Sequence, residues 1–107
     1  MCMPTTTDLD SLAPLAAHLR ALHRPGDPLV LVNVWDVASA REVAAAGAAA
    51  LGTSSAAIAA SLGLPDDNTS DPETVFSAIR RIAAGAAVPV TADLERGYGL
   101  DGAALVD

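Results

Sequence analysis

Aromatic side chains are nearly absent, 3% of 107 residues, so the chain lacks the large rings that anchor most small cores. What replaces them is alanine, 24 residues within a 51% apolar composition, which favours close helix and strand packing over bulky contacts. A mean hydropathy of +0.37 excludes a disordered chain and calls for a core. Basic charge is scarce as well. Six Lys and Arg face thirteen Asp and Glu, a net charge of −7, which disfavours nucleic acid, whose binding rests on clustered cations. The lone cysteine, Cys2, forbids an internal disulfide and fits a cytoplasmic setting. No uninterrupted apolar run reaches the roughly 18 residues of a membrane span, and no basic segment precedes an apolar one at the start. The expectation is a protein without membrane or export signals.

The apolar residues are arranged in alternating periods. From Asp8, the positions Leu9, Leu12, Leu15, Ala16, Leu19 and Leu22 recur every three to four residues, predicting a helix that ends near Arg24-Pro25-Gly26. Leu29 to Val34 is continuous and β-branched, as in a strand buried on both faces of a parallel sheet. Asp36 can cap a helix running to about Ala46, with Gly47 placed to end it. Ala48 to Thr53 reads as a second strand. Ser54 to Ser61 is ambiguous, and the turn formers of Leu62 to Thr69 read as an ordered loop.

Ser70-Asp71-Pro72-Glu73 has capping-box spacing, and Val75, Phe76, Ile79 and Ile82 mark the apolar face of the helix that follows, to about Gly85. Val88 to Asp93 gives a third strand with Pro89 at its start, and Asp101 to Asp107 begins another helix. This order is that of a parallel α/β sheet. A (β/α)8 barrel needs about 250 residues, so the expectation is one incomplete barrel domain over residues 1–107, the first three β/α units of a TIM-type fold, truncated.

In such folds the loops after the strands gather on one face, where ligands bind. Asn33, Trp35 and Asp36 follow the first strand, Ser54, Ser55 and Asp66 the second, and Asp93, Glu95 and Tyr98 the third. Asp93 and Glu95 are two apart at a strand end, with Asp66 approaching from the neighbouring loop, and such anions repel one another unless a cation joins them. An oxygen-only set suits Mg²⁺, with Mn²⁺ as the alternative. The competing reading is a solvated acidic loop closed by the Gly97-Tyr98-Gly99 turn. His18 and His23 read as surface or capping groups, and Trp35 as packing beneath the first strand's loop. Tyr98 reads equally as lining a site or stabilising its turn, and Arg80-Arg81 as the exposed side of a helix.

Five segments, taken in order, carry a more specific signal. They are Leu22-His23, Asn33-Val34-Trp35-Asp36-Val37-Ala38-Ser39-Ala40, Gly52-Thr53-Ser54-Ser55, Ser61-Leu62-Gly63-Leu64-Pro65-Asp66, and Pro89 to Gly99. Together they resemble the isocitrate lyase and phosphoenolpyruvate mutase superfamily, in its phosphonomutase-like branch. The resemblance implies a Mg²⁺-dependent lyase or mutase-like enzyme acting on a small 2-oxo acid, cleaving or forming a C–C or P–C bond through an enolate, homo-oligomeric at full length. It implies that Asp93 binds the metal, that Asp66 and Glu95 act around it, and that Ser54, Ser55 and Ala56, with Asp93, hold the substrate. Gly52 stands where some mutase-type relatives carry tryptophan, which implies a different pocket. The family's acid–base loop falls beyond residue 107, so no catalytic acid or base is assigned. The alternatives are a non-catalytic binding or assembly module and, less in keeping with this order of motifs, a flavodoxin-like domain.

Overall fold

The computed structural model describes residues 6–106, and the Cys2 expectation lies outside them. Eight elements follow one another: α1 (Thr6–Leu22), β1 (Val32–Val34), α2 (Val37–Ala45), β2 (Leu51–Thr53), α3 (Ser55–Leu62), α4 (Pro72–Gly85), β3 (Val90–Thr91) and α5 (Gly102–Val106). The strands form one parallel sheet in the order β1-β2-β3, with Val32 opposite Leu51 and Leu51 opposite Val90. Each connection between neighbouring strands passes through helix, which parallel pairing requires. The expected α/β class with a parallel sheet is therefore what the chain adopts.

Local chemistry fixes where the helices begin. The Asp36 carboxylate accepts from the Ser39 amide at 2.7 Å while the Ser39 hydroxyl accepts from the Asp36 amide at 3.1 Å, a reciprocal box that starts α2 as expected. Ser54 resolves the ambiguous stretch in favour of helix. Its hydroxyl accepts from the Ala57 amide and opens α3, and Gly63, at φ +70°, ends it in the left-handed conformation. At α4 the Ser70–Glu73 box does not form. Pro72 is the first helical residue, so the cap is Asp71, whose carboxylate accepts from both the amide and the hydroxyl of Thr74. Glu73 instead reaches Arg80 at 3.4 Å on the exposed side of α4.

The core lies between the sheet and α2, α3 and α4. Val34, Leu51, Ile58 and Ile82 are fully buried there, with Ala40 and Ala78 filling the spaces between them. Each of the four large side chains stabilises the fold by about 1.5–3 kcal/mol. The alanines let backbones approach closely, and at Gly85 a Cβ would stand 2.7 Å from Val37 Cγ1.

Two expectations are corrected at the other end of the chain. The first strand is three residues long rather than six and is not buried on both faces: Val30 is 74% exposed and Val32 42%. The strand order explains this, since β1 is an edge with a partner on one side only. The apolar stripe of α1 is likewise only partly covered, with Leu12 47% exposed, because Leu12, Leu15 and Leu19 face Ala83 and Val88 to Val90 across an open hollow.

Candidate functional site

All three strands run the same way, so the turns after β2 and β3 share one end of the sheet. Here polar side chains replace apolar packing as the organising force. The Thr53 hydroxyl, buried at the end of β2, accepts from the Asp93 amide at 2.9 Å and so docks the segment after β3 onto β2. The Ser54 amide donates to the Val34 carbonyl at 3.1 Å, which ties the same point to β1.

The Asp93 carboxylate is gripped on both oxygens. Oδ1 accepts from the Glu95 amide at 3.1 Å and Oδ2 from the Ser55 amide at 3.4 Å, at the N-terminus of α3. The Glu95 amide and then the Ser55 hydroxyl hold its pKa below 3.8 against the opposing effect of burial, with the Ser55 amide adding the least. Asp93 is thus an anion fixed beside the positive end of a helix.

The turn that follows is conformationally demanding. Glu95 and Tyr98 take φ of +52° and +53°, a region most L-residues avoid, and Gly97 lies between them at +83°. Gly97 is also packed: a Cβ there would stand 2.8 Å from Leu105 Cδ1. Tyr98 is buried and meets Phe76 of α4 edge-on, with centroids 6.1 Å apart. Its phenol is pushed above 10.0 first by burial and then by the negative charges of Glu95, Asp93 and Asp66. Tyr98 also lines a narrow hollow with Ser55, Pro65, Asp66 and Asp67. It therefore both stabilises its turn and faces the acidic groups.

The residues expected to form the site fall as follows. Ser54 caps α3, Ser55 is its first residue and touches Asp93, and Ala56 is exposed in the same first turn. Asp66 and Glu95 reach the surroundings of Tyr98 from two different loops. They do not close on one point, since among the described residues no three His, Cys, Asp or Glu side chains are grouped to hold a metal ion. Trp35 is 43% exposed rather than packed under its loop, and its amide donates to the Ser39 hydroxyl. His23 caps α1, with Nδ1–H donating to the Leu19 carbonyl at 2.8 Å. Gly52 lies in the middle of β2, where a Cβ would stand 3.1 Å from Asn33 Oδ1, so Asn33 fills the space that a larger residue at 52 would claim.

Sequence reasoning missed two residues. Thr53 carries the bond to Asp93, and Asn68 accepts at a single oxygen from the amides of Arg96 and Tyr98. A threonine at a strand end beside Ser54 was the available signal for the first, and an asparagine ending an Asp-Asp-Asn turn for the second.

Comparison with known proteins bears on the same region. The phosphoenolpyruvate phosphomutase family matches residues 19–107. Two uncharacterized proteins of Mycobacterium tuberculosis, Rv1998c (strain ATCC 25618 / H37Rv) and MT2054 (strain CDC 1551 / Oshkosh), are each 39% identical over 88 residues, covering 80% of this chain and 33% of their own. Two crystal structures from Burkholderia cenocepacia J2315 are also similar. One, designated a phosphonomutase, has a TM-score of 0.76 at 46% identity and covers 80% of this chain and 35% of that one. The other, designated a lyase/mutase, has a TM-score of 0.77 at 42% identity and covers 91% and 34%. The chain spans about a third of the length of these relatives. With the family match spanning the segments that carry Ser54, Asp66 and Asp93, and backbone likeness over most of the chain, the chain belongs to the phosphoenolpyruvate phosphomutase family.

Proposed function

We propose that this chain is the N-terminal part of a metal-dependent enzyme of lyase or mutase type, built as the first β/α units of a TIM-type barrel, that acts on a small 2-oxo acid. The observation that carries the reading is Asp93: an ionised carboxylate at the C-terminal end of β3, held by amides of its own turn and of the α3 N-terminus.

The donor set fits Mg²⁺ better than a softer ion. It contains carboxylate and hydroxyl oxygens without Cys or His, and Mg²⁺ needs only one or two carboxylates when water and substrate oxygens complete its shell. Asp93 would hold the ion directly, with Asp66 and Glu95 around it. The bound ion would supply positive charge where negative charge collects on the 2-oxo oxygen as the neighbouring bond breaks.

The chain's own groups would bind and orient. Ser54, Ser55 and Ala56 present the first turn of α3, whose amide dipoles favour a carboxylate. Asp93 lies against that turn through the Ser55 amide, so metal and substrate carboxylate would be read by adjoining groups. Gly52 itself carries no side chain and Asn33 takes the space a larger residue there would claim, so phosphonate specificity is not part of this reading.

Calorimetric titration of Mg²⁺ with oxalate, an enolate mimic, tests this. The expected result is binding by the chain and at least a tenfold loss in Asp93→Ala. A folded chain that binds nothing, or unchanged binding in the variant, overturns the metal reading.

A second reading rests on one observation, the exposed Val30, Leu31 and Val32 beside the free edge of β1. Edges of this kind pair with other chains, and a binding or assembly module would use it so. Sedimentation separates the two: concentration-dependent self-association without Mg²⁺–oxalate binding favours the module.

A further inference from the structure

We infer that Asn68 is a positioning residue for the proposed site, the latch that joins the loop after α3 to the turn after β3 and sets where Glu95 stands relative to Asp93. A single oxygen takes both hydrogen bonds. Asn68 Oδ1 accepts from the Tyr98 amide at 2.9 Å and from the Arg96 amide at 3.3 Å, across 30 and 28 residues of sequence. These two amides bracket Gly97 and follow Glu95, within a turn that has four left-handed residues, Glu95, Gly97, Tyr98 and Gly99.

Such a turn holds its shape only when the surroundings determine it. Within the turn itself, Gly97 donates to Leu94 and Leu100 to Gly97, which fixes its ends. Asn68 fixes its middle, and Phe76 fixes the ring of Tyr98.

The residue type suits this role. A side-chain amide oxygen has two lone pairs, enough for both donors, and carries no charge. At this position charge matters, because Asp66, Asp67, Asp93 and Glu95 already crowd this end of the sheet with negative groups. Asn68 thus provides acceptor capacity without adding to the repulsion that a metal would have to overcome.

The test uses amide hydrogen exchange of the chain by NMR, with Mg²⁺–oxalate calorimetry beside it. In the wild type the Arg96 and Tyr98 amides are expected to exchange more slowly than that of Gly99. In Asn68→Ala they speed up at least tenfold, while Leu51 and Ile82 in the core do not, and Mg²⁺–oxalate affinity falls about tenfold. Asn68→Asp retains acceptors for both amides and restores their protection. Unprotected Arg96 and Tyr98 amides in the wild type, unchanged exchange in Asn68→Ala, or a loosened turn with undiminished Mg²⁺ affinity would each overturn the latch. The inference rests on the metal reading for its affinity arm alone. A wild-type chain that protects both amides yet binds no Mg²⁺ defeats that reading, and exchange in the variants still decides whether Asn68 holds the turn.

Discussion

The helix-covered face of the sheet and the C-terminal ends of its strands are built by different forces. On the helix-covered face, the side chains of Val34, Leu51, Ile58 and Ile82 are held by burial. At the strand ends, Asp93, Ser55, Glu95 and Asn68 are held by hydrogen bonds between side chains and backbone amides, with Asp93 and Glu95 exposed and Ser55 and Asn68 half-buried. Burial is non-directional and tolerates small shifts, whereas a carboxylate aimed by two amides is placed by geometry. Stability and ligand placement should therefore be separable by mutation, with one residue, Thr53, belonging to both.

The largest effect is expected where the comparison is starkest. Ile82→Ala removes a fully buried side chain from a core short of large residues and should cost about 2–5 kcal/mol in urea unfolding. In a chain of this size that is enough to leave little folded protein. Any folded fraction should retain Mg²⁺–oxalate affinity within about twofold, because Ile82 belongs to the apolar cluster and takes no part in the hydrogen bonds that hold Asp93. A cost below about 1 kcal/mol would mean that the core collapses around the gap and that burial is a weaker organiser than proposed.

Thr53 sharpens the boundary. Thr53→Val preserves shape but leaves the Asp93 amide without its acceptor, a loss of about 1–3 kcal/mol where that group is shielded from water. Because the freed amide belongs to Asp93, Mg²⁺–oxalate affinity should fall with stability, unlike in Ile82→Ala. Thr53→Ser keeps the hydroxyl and should restore affinity. Loss of stability in Thr53→Val with affinity intact would place Thr53 wholly within the core.

The same division explains what could be read from the sequence. Strand–helix alternation was legible because apolar periods are local, and so was the cap at Asp36, whose partner lies three residues away, whereas the stretch that Ser54 caps read ambiguously. The length of β1 was not. Leu29 to Val34 is uniformly apolar, yet pairing starts only where Val32 meets Leu51, a register set by another strand. At the site, Asp93 and its neighbours were legible by resemblance to a family motif. Thr53 and Asn68 were not, because a threonine in a strand and an asparagine in a turn each satisfy an ordinary local reading, while their partners lie 40, 28 and 30 residues away.

The smallest effect concerns acid, and it asks whether an exposed structural carboxylate and the site carboxylate behave alike. The pKa of Asp36 is lowered from 3.8 by the Ser39 hydroxyl and then the Ser39 amide, and that of Asp93 by the Glu95 amide, then Ser55. A folded pKa below the unfolded one means that the unfolded chain binds more protons as pH falls. Each carboxylate then contributes stability that is fully present above about pH 4 and is lost as pH drops through its folded value. Unfolding midpoints should accordingly decline below about pH 4, with a shallower decline in both Asp36→Asn and Asp93→Asn. Mg²⁺ with oxalate separates the pair. Binding only to folded protein, it should raise the midpoint of the wild type and of Asp36→Asn at pH 7, and leave Asp93→Asn unmoved. Equal stabilisation of all three would show that Asp93, for all its placement, is a cap like Asp36 and no more.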